Sequence, residues 1–176
     1  KAGRGPGEID DLWAVWKTQN GIVAEDAGGV ASVFTLSGQY RRSIPRGVDA
    51  SARRVERLGM INDSLSLGRV SEDMPEMNVG ESRPVHMRLV ATTPTNSSTI
   101  VRYPERTVVR GQKGRPRPDV FGPRSVATAV GDRVCVGFPA RFVIDCYDVN
   151  GKPLVRTDLS HLSPDPVTRS HQEDFI

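Results

Sequence analysis

The densest set of residues that could contact an anionic ligand is the stretch RYPERTVVRGQKGRPR, residues 102–117. Basic side chains neutralise phosphates, and an aromatic ring beside them can stack on a base. The run therefore predicts weak ligand or single-stranded RNA contacts by Arg102, Tyr103, Arg106, Arg110, Arg115 and Arg117. Its glycines and prolines also suit a flexible, solvated loop between blades. Because the net charge is only +3 on 176 residues, nucleic acid is not the preferred partner.

The glycine-rich stretch GRGPGEIDD, residues 3–11, raises the question of phosphate binding. A dinucleotide-binding loop needs a strand before its glycines, a helix after them, and a third glycine at the position that Glu8 occupies. No Gly-Lys-Ser or Gly-Lys-Thr follows either. Residues 5–8 are therefore predicted to form a rigid turn that touches no phosphate, in which Pro6 fixes its own φ and the glycines supply unusual backbone angles.

No catalytic or cofactor motif stands out. The Gly-x-Ser-x-Gly element of serine hydrolases is absent, and no motif spacing links His86, His161 and His171. No cofactor is predicted, although a metal ion held in a central channel by separate blades remains an alternative. Cys135 and Cys146 are interpreted as small hydrophobic residues of the core, with a cross-strand disulfide as the alternative.

The composition is that of a globular chain with a core, since 37% of its residues are hydrophobic and 26% are charged. No apolar run approaches the roughly 20 residues that span a bilayer, so no membrane span is predicted. Short β-rich runs separated by Gly, Pro, Asn and Asp dominate the chain. The best helical candidate is residues 49–59.

Two stretches of the chain match each other. When residues 20–42 are set over residues 132–156, Ile22-Val23-Ala24 falls on Val134-Cys135-Val136, and Val33-Phe34 falls on Cys146-Tyr147. Gly38 then falls on Gly151, with a one-residue gap near the first turn. Repeated antiparallel units of this length, each apolar on both faces, are typical of propeller blades that stack on their neighbours.

The motifs GRGPGE (3–8), NGIVAED (20–26) and VASVFTLSG (30–38) resemble the repeat of NHL-type six-bladed β-propellers. Residues 121–156 are similar to blades of bacterial six-bladed propeller proteins of unassigned function. The resemblance implies an exported protein, periplasmic or at the cell surface, that binds or scaffolds; the chain itself contains no signal-peptide pattern. Related propellers include lyases, hydrolytic enzymes and RNA-binding domains.

The fold predicted is therefore all-β, with about three four-stranded antiparallel blades of a presumed six-bladed propeller. Their approximate bounds are 9–45, 53–106 and 119–160, and 161–176 is a linker toward further sequence. The favoured function is a non-catalytic binding scaffold for an unknown protein, peptide or carbohydrate, held at the channel mouth by inter-blade loops. A metal-dependent propeller lyase or hydrolase is the alternative, and RNA binding through 102–117 is the third hypothesis.

Burial and assembly are predicted as well. Val134, Val136, Ile144 and Cys146 are expected to be buried, with a loss of about 2–5 kcal/mol on replacing Ile144 with alanine. Bare blade faces are expected near Trp13 and Trp16 and near Val143 and Tyr147. The 176 residues alone should associate, whereas a monomer is expected for the full-length protein.

Overall fold

The computed structural model describes residues 5, 7–47, 53–74, 76–112, 115–120 and 122–162. Thirteen β-strands and one short 3-10 turn, Pro139–Arg141, make up the regular structure of these residues. From residue 163 onward, the predicted linker lies outside the described residues. Lys113, within the basic run 102–117, also lies outside them. The strands are β1 Leu12–Lys17, β2 Gly21–Asp26, β3 Ala31–Thr35, β4 Tyr40–Ile44, β5 Glu56–Met60, β6 Ser66–Ser71, β7 Ser82–Thr92, β8 Ser97–Val109, β9 Arg117–Pro118, β10 Val126–Val130, β11 Arg133–Phe138, β12 Val143–Tyr147 and β13 Pro153–Asp158.

The strands form three antiparallel sheets in which neighbours in the chain are neighbours in the sheet. The first sheet has the order β1-β2-β3-β4, the second β5-β6-β7-β8-β9 and the third β10-β11-β12-β13. The prediction of an all-β fold is confirmed. The second sheet has five strands rather than four, because Arg117–Pro118 pairs with the end of the long strand β8.

The helical candidate at 49–59 is wrong where the structure describes it. Residues 49–52 lie outside the described part, and Glu56–Met60 forms strand β5. Ala and Arg favour helices, but helix propensity is a weak preference that packing overrides. Here β5 pairs with β6, and Met60 is buried in the cluster between the first and second sheets.

The three sheets stack in chain order through two apolar interfaces. Val23, Val33 and Ile44 of the first sheet pack with Met60 of the second. The larger cluster joins the second and third sheets and contains Leu67, Met87, Leu89, Ile100, Tyr103, Val134, Val136 and Phe138. The leading strand of the second sheet, β5, also contacts the leading strands of both neighbours, β1 and β10. Strand order and stacking together are propeller-like.

The first and third sheets are equivalent in the register that the sequence match predicts. Gly38 and Gly151 occupy the same turn, with φ of 83° and 85°, and each donates its N–H at 3.0 Å to the residue three before it. The register shifts at matching positions, between Val33 and Phe34 in one sheet and between Cys146 and Tyr147 in the other. The two sheets are therefore copies of one structural unit.

The burial prediction for the third sheet is correct for only one of its faces. Val134 and Val136 are fully buried against the second sheet. Ile144 and Cys146 are half-buried, not buried, because they lie on the opposite face. The large loss expected for replacing Ile144 with alanine therefore does not apply to this chain.

The two cysteines form a disulfide. Cys135 and Cys146 are directly opposite on β11 and β12, with Cα atoms 4.1 Å apart. The interpretation as free core cysteines is wrong, and the cross-strand alternative is correct. The bond lies on the half-exposed face, beside Ile144.

The uncovered faces differ in part from those predicted. Tyr147 packs against the cluster between the second and third sheets, and Val143 pairs with the buried Phe138 on that same face. Trp16 packs in the cluster between the first and second sheets. The uncovered residues are instead Val15 on the first sheet and, on the third, Val126, Val130 and Val155.

We expect Gly7→Val to destabilise the protein by about 1–3 kcal/mol, the cost of a strained backbone conformation. Gly7 has a φ of +86°, and a Cβ added there would lie 2.8 Å from the Tyr40 ring. Gly111 is the matched control, since its added Cβ would meet nothing within 4 Å. Urea denaturation of both variants tests this; equal losses for Gly7→Val and Gly111→Val would contradict it.

Candidate functional site

The basic run predicted as a contact site is mainly strand, not a flexible loop. Arg102, Tyr103 and Arg106 belong to β8, and the Tyr103 side chain is buried, 1% exposed, in the cluster between the second and third sheets. A ring in that position has no face open to a base. The predicted stacking role of Tyr103 is therefore wrong.

The arginines of the run are mostly engaged within the protein. Arg102 pairs with Glu72 at 2.7 Å, and Arg110 donates to the Met77 carbonyl oxygen at 2.6 Å. Arg106 lies 3.3 Å from the buried Glu105 carboxylate. Arg115 and Arg117 are exposed. The run does not converge on one cavity.

The glycine-rich turn is closed by its own glutamate. The Gly5 N–H donates to the Glu8 carboxylate at 2.7 Å, and the Glu8 N–H donates to the Gly5 carbonyl at 3.1 Å. Gly7 lies against the ring of Tyr40. The Glu8 carboxylate already accepts from the Gly5 backbone N–H, a donor that a bound phosphate would need. This geometry therefore agrees with a turn rather than a phosphate loop.

A pocket of about 400 Å³ lies between the first and second sheets, and we call it the arginine pocket. Its lining includes Ala27 and Gly29 of the β2–β3 turn together with Arg46 and Arg54. Ala27 and Met87 supply apolar wall, and Trp13 stands beside them with its side chain 73% exposed. Its charged lining consists of Arg46, Arg54, Arg57, Arg69, Glu25, Asp26 and Glu56.

A buried ion pair joins the two sheets at this pocket. Arg57 of β5 lies 2.9 Å from Glu25 of β2, and the two side chains are 6% and 8% exposed. Arg57 also donates to the Pro45 carbonyl at 3.2 Å. These contacts fix Arg57 across the boundary between the sheets, so it closes the pocket rather than moving with a ligand.

A second cluster of charged side chains, next to the Arg57–Glu25 pair in the pocket lining, is centred on Arg69 of β6. Arg69 donates to both carboxylate oxygens of Glu56, at 2.9 and 2.8 Å, and to Glu105 at 3.0 Å. Glu105 is 1% exposed and also accepts from Arg124 at 3.2 Å. The Glu56 partnership raises the pKa of Arg69, so this arginine stays charged.

The two remaining arginines of the pocket differ in exposure. Arg46 packs against the β2–β3 turn, where its Nη1 donates to the Gly28 carbonyl at 3.1 Å and its Nε is buried. Arg54 is exposed, and its side chain makes no ion pair or hydrogen bond with the other described residues. Four arginines against three carboxylates leave one formal positive charge in the lining. The Arg54 guanidinium has the planar, two-pronged donor geometry that matches a carboxylate.

The Glu25 carboxyl gives a pH prediction. Burial raises its pKa above the ordinary value, although Arg57 opposes the change. Its stabilising contribution is thus present at low pH and is lost as pH rises from about 4, the ordinary glutamate value, through the folded pKa. We expect the wild type to lose stability relative to Glu25→Gln as pH rises over this range. Urea denaturation at a series of pH values measures the free energy of unfolding of both proteins. A wild type that gains stability relative to Glu25→Gln as pH rises would contradict the prediction.

The described part of the chain shows neither a metal-binding cluster nor a membrane-spanning helix. No group of three or more His, Cys, Asp or Glu side chains is placed there to hold a metal ion. Within the same residues, no helix has the length and apolar character to cross a bilayer. His86 lies in β7, His161 lies just after β13, and His171 is outside the described residues.

No pattern in the sequence predicted the arginine pocket. Arg46, Arg54, Arg57 and Arg69 are spread over 24 positions and come from a connection and two strands. They meet only because the first sheet packs on the second. The match between residues 20–42 and 132–156 implied such packing, but it did not specify which charged side chains line the junction.

In comparison with known proteins, the chain has matches among solved structures. No protein-family model matches the chain, and no curated protein matches it. Among solved structures, the chain is similar to BamB from Moraxella catarrhalis, with a TM-score of 0.27 and 10% sequence identity. That similarity covers 90% of this chain and 54% of the BamB chain. This chain thus spans about half the length of that protein.

Proposed function

We propose that this chain is a non-catalytic binding scaffold of the β-propeller type, and that it takes a carboxylate-bearing peptide segment at the arginine pocket. The observation that carries the proposal is Arg54, an exposed arginine of the pocket lining whose side chain has no partner among the described residues, in a pocket that also holds the buried Arg57–Glu25 pair. The NHL-like, six-bladed assignment belongs to the same proposal. It rests on the motif resemblance and on the equivalence of the first and third sheets.

Binding rather than proton transfer is supported by the state of the charged groups. A general base needs a carboxylate or imidazole within reach of a substrate proton. Glu25 and Glu56 are each paired with an arginine, and arginine does not give up its proton in proteins. The pocket therefore offers fixed positive charge and a shaped wall, which are the properties of a recognition site.

The charge of the lining decides between ligand classes. A carboxylate carries one negative charge and matches the single formal positive charge of the pocket. A phosphate near pH 7 carries more, and the three carboxylates of the lining would repel it. Trp13 lines the same pocket as Arg54 and can hold an apolar side chain of the peptide, since tryptophan combines a large apolar surface with rigidity.

An oxidising location is part of the proposal. Disulfides form and persist outside the cytosol in most organisms. The bond between Cys135 and Cys146 supports an exported protein, as the motif resemblance implies. Thiol titration of the protein isolated under alkylating conditions tests this, and two free thiols would contradict it.

Fluorescence anisotropy with labelled peptides tests the binding function. A peptide with one glutamate next to a leucine should bind, and the same peptide with glutamine should bind at least about tenfold more weakly, since a charged hydrogen bond contributes about 1.5–3 kcal/mol. Arg54→Ala should weaken glutamate-peptide binding by a similar factor. Arg133→Ala, an exposed arginine of the third sheet, is the matched control and should leave the affinity unchanged.

Each alternative function predicts a different experimental result. Equal affinity for the glutamate and glutamine peptides would contradict the carboxylate site. Binding of an RNA oligonucleotide that falls steeply with salt and is insensitive to Arg54→Ala would favour the nucleic-acid hypothesis. Turnover of a substrate that stops on chelation would favour the metal-dependent enzyme.

A further inference from the structure

The third sheet leaves one complete face uncovered within the described residues. By strand register this face carries Val126, Thr128, Val130, the disulfide and Val155. Val126 is 66% exposed and Val130 is 57% exposed. We call this surface the trailing face, because it points away from the second sheet.

The trailing face is equivalent to a face that is buried elsewhere in the same molecule. Through the shared register of the first and third sheets, Cys135 corresponds to Val23 and Cys146 to Val33. Val23 and Val33 are 0% and 1% exposed because they pack on the second sheet. The trailing face is thus built as a core-forming surface.

The first sheet has a face of the complementary kind that no other sheet covers within the described residues. This leading face carries Val15, Ile22 and Phe34, which by the same register correspond to residues of the third sheet that pack on the second. Val15 is 54% exposed. The segment from Gly7 to Ile9 lies near Ser32 and Tyr40 at one end of this face, where Ala24 and Ser32 are buried.

We propose that the trailing face of one copy of this chain packs on the leading face of a second copy. Both interfaces inside the chain join a trailing face to the leading face of the next sheet. The two faces without a neighbouring sheet among the described residues are therefore one of each kind. The resulting contact joins different surfaces and is heterologous. Burial of the exposed valines of both faces supplies the driving force, since contiguous apolar patches of this kind mark interaction sites.

Two single substitutions test which faces pair. Val126→Glu places a charge on the trailing face and leaves the leading face intact, and Val15→Glu does the reverse. Sedimentation velocity should show concentration-dependent association of the wild type and monomers for each variant alone. An equimolar mixture of the two variants should form a one-to-one dimer, because it retains one complete interface. Val120→Glu, at a residue 85% exposed between β9 and β10, should associate like the wild type.

Several outcomes would overturn the proposal. A wild-type chain that stays monomeric at every concentration shows that the faces do not pair. Association of either variant alone to the wild-type extent shows a different interface, and failure of the mixture to dimerise shows that the two faces are not partners. In a longer polypeptide that contains this chain, a monomer independent of concentration shows that further sheets of the same polypeptide cover the faces. Circular dichroism of each variant confirms that it is folded.

Discussion

Replacing Arg69 with methionine is expected to lower the free energy of unfolding by about 3 kcal/mol, at the lower end of the range for removing one partner of a buried ion pair. Arg69 is 20% exposed and contacts both Glu56 and Glu105, and Glu105 is 1% exposed. Without Arg69, a desolvated carboxylate loses its most direct partner. Arg124 and Arg106 remain near it and limit the loss.

Two further variants separate this electrostatic cause from lost packing. Arg133→Met removes an arginine that is 54% exposed and lies 3.9 Å from Asp132, so it should cost less than about 0.5 kcal/mol. The double variant Arg69→Met with Glu105→Gln should be more stable than Arg69→Met alone, because no buried carboxylate is left unpaired. A double variant that is less stable than the single one would contradict the electrostatic explanation.

Much of the fold follows from local signals in the sequence. Asn-Gly at 150–151 and Ser-Gly at 37–38 end one strand and start the next, and both glycines adopt positive φ in equivalent turns. The alternation of apolar residues gave the faces of β11 correctly for Val134 and Val136. The helix expected at 49–59 failed because β5 is defined by partners distant in the chain, β6 and the first sheet, which local propensity does not include.

The candidate site was harder to predict for a related reason. Charge density along the chain pointed to 102–117, but the period of two in β8 buries Tyr103 and Glu105 and turns Arg102 outward. The arginines that share a pocket are dispersed, and they meet through sheet packing. The disulfide was equally undetermined, since eleven residues of separation suit a cross-strand bond and a pair of core cysteines alike.

Replacing Tyr103 with alanine is expected to destabilise the protein by about 3–5 kcal/mol, the range for removing a large aromatic residue from a core. The ring is 1% exposed and packs between the second and third sheets with Leu89 and Val136. Its surroundings also raise the pKa of the hydroxyl through desolvation, as expected for a core position. Tyr103→Phe keeps the ring and should cost far less. Urea denaturation monitored by circular dichroism measures both.

The same pair of variants distinguishes a core residue from a nucleic-acid contact. A tyrosine that stacks on bases would contribute to oligonucleotide affinity while contributing little to stability, since stacking needs an accessible ring face. Tyr103→Ala with unchanged stability and weaker oligonucleotide binding would therefore contradict the core position. Trp13→Ala is the matched control, because its side chain is 73% exposed and its loss should cost little stability. In the arginine pocket, by contrast, Trp13→Ala should weaken binding of the glutamate peptide, because Trp13 lines that pocket.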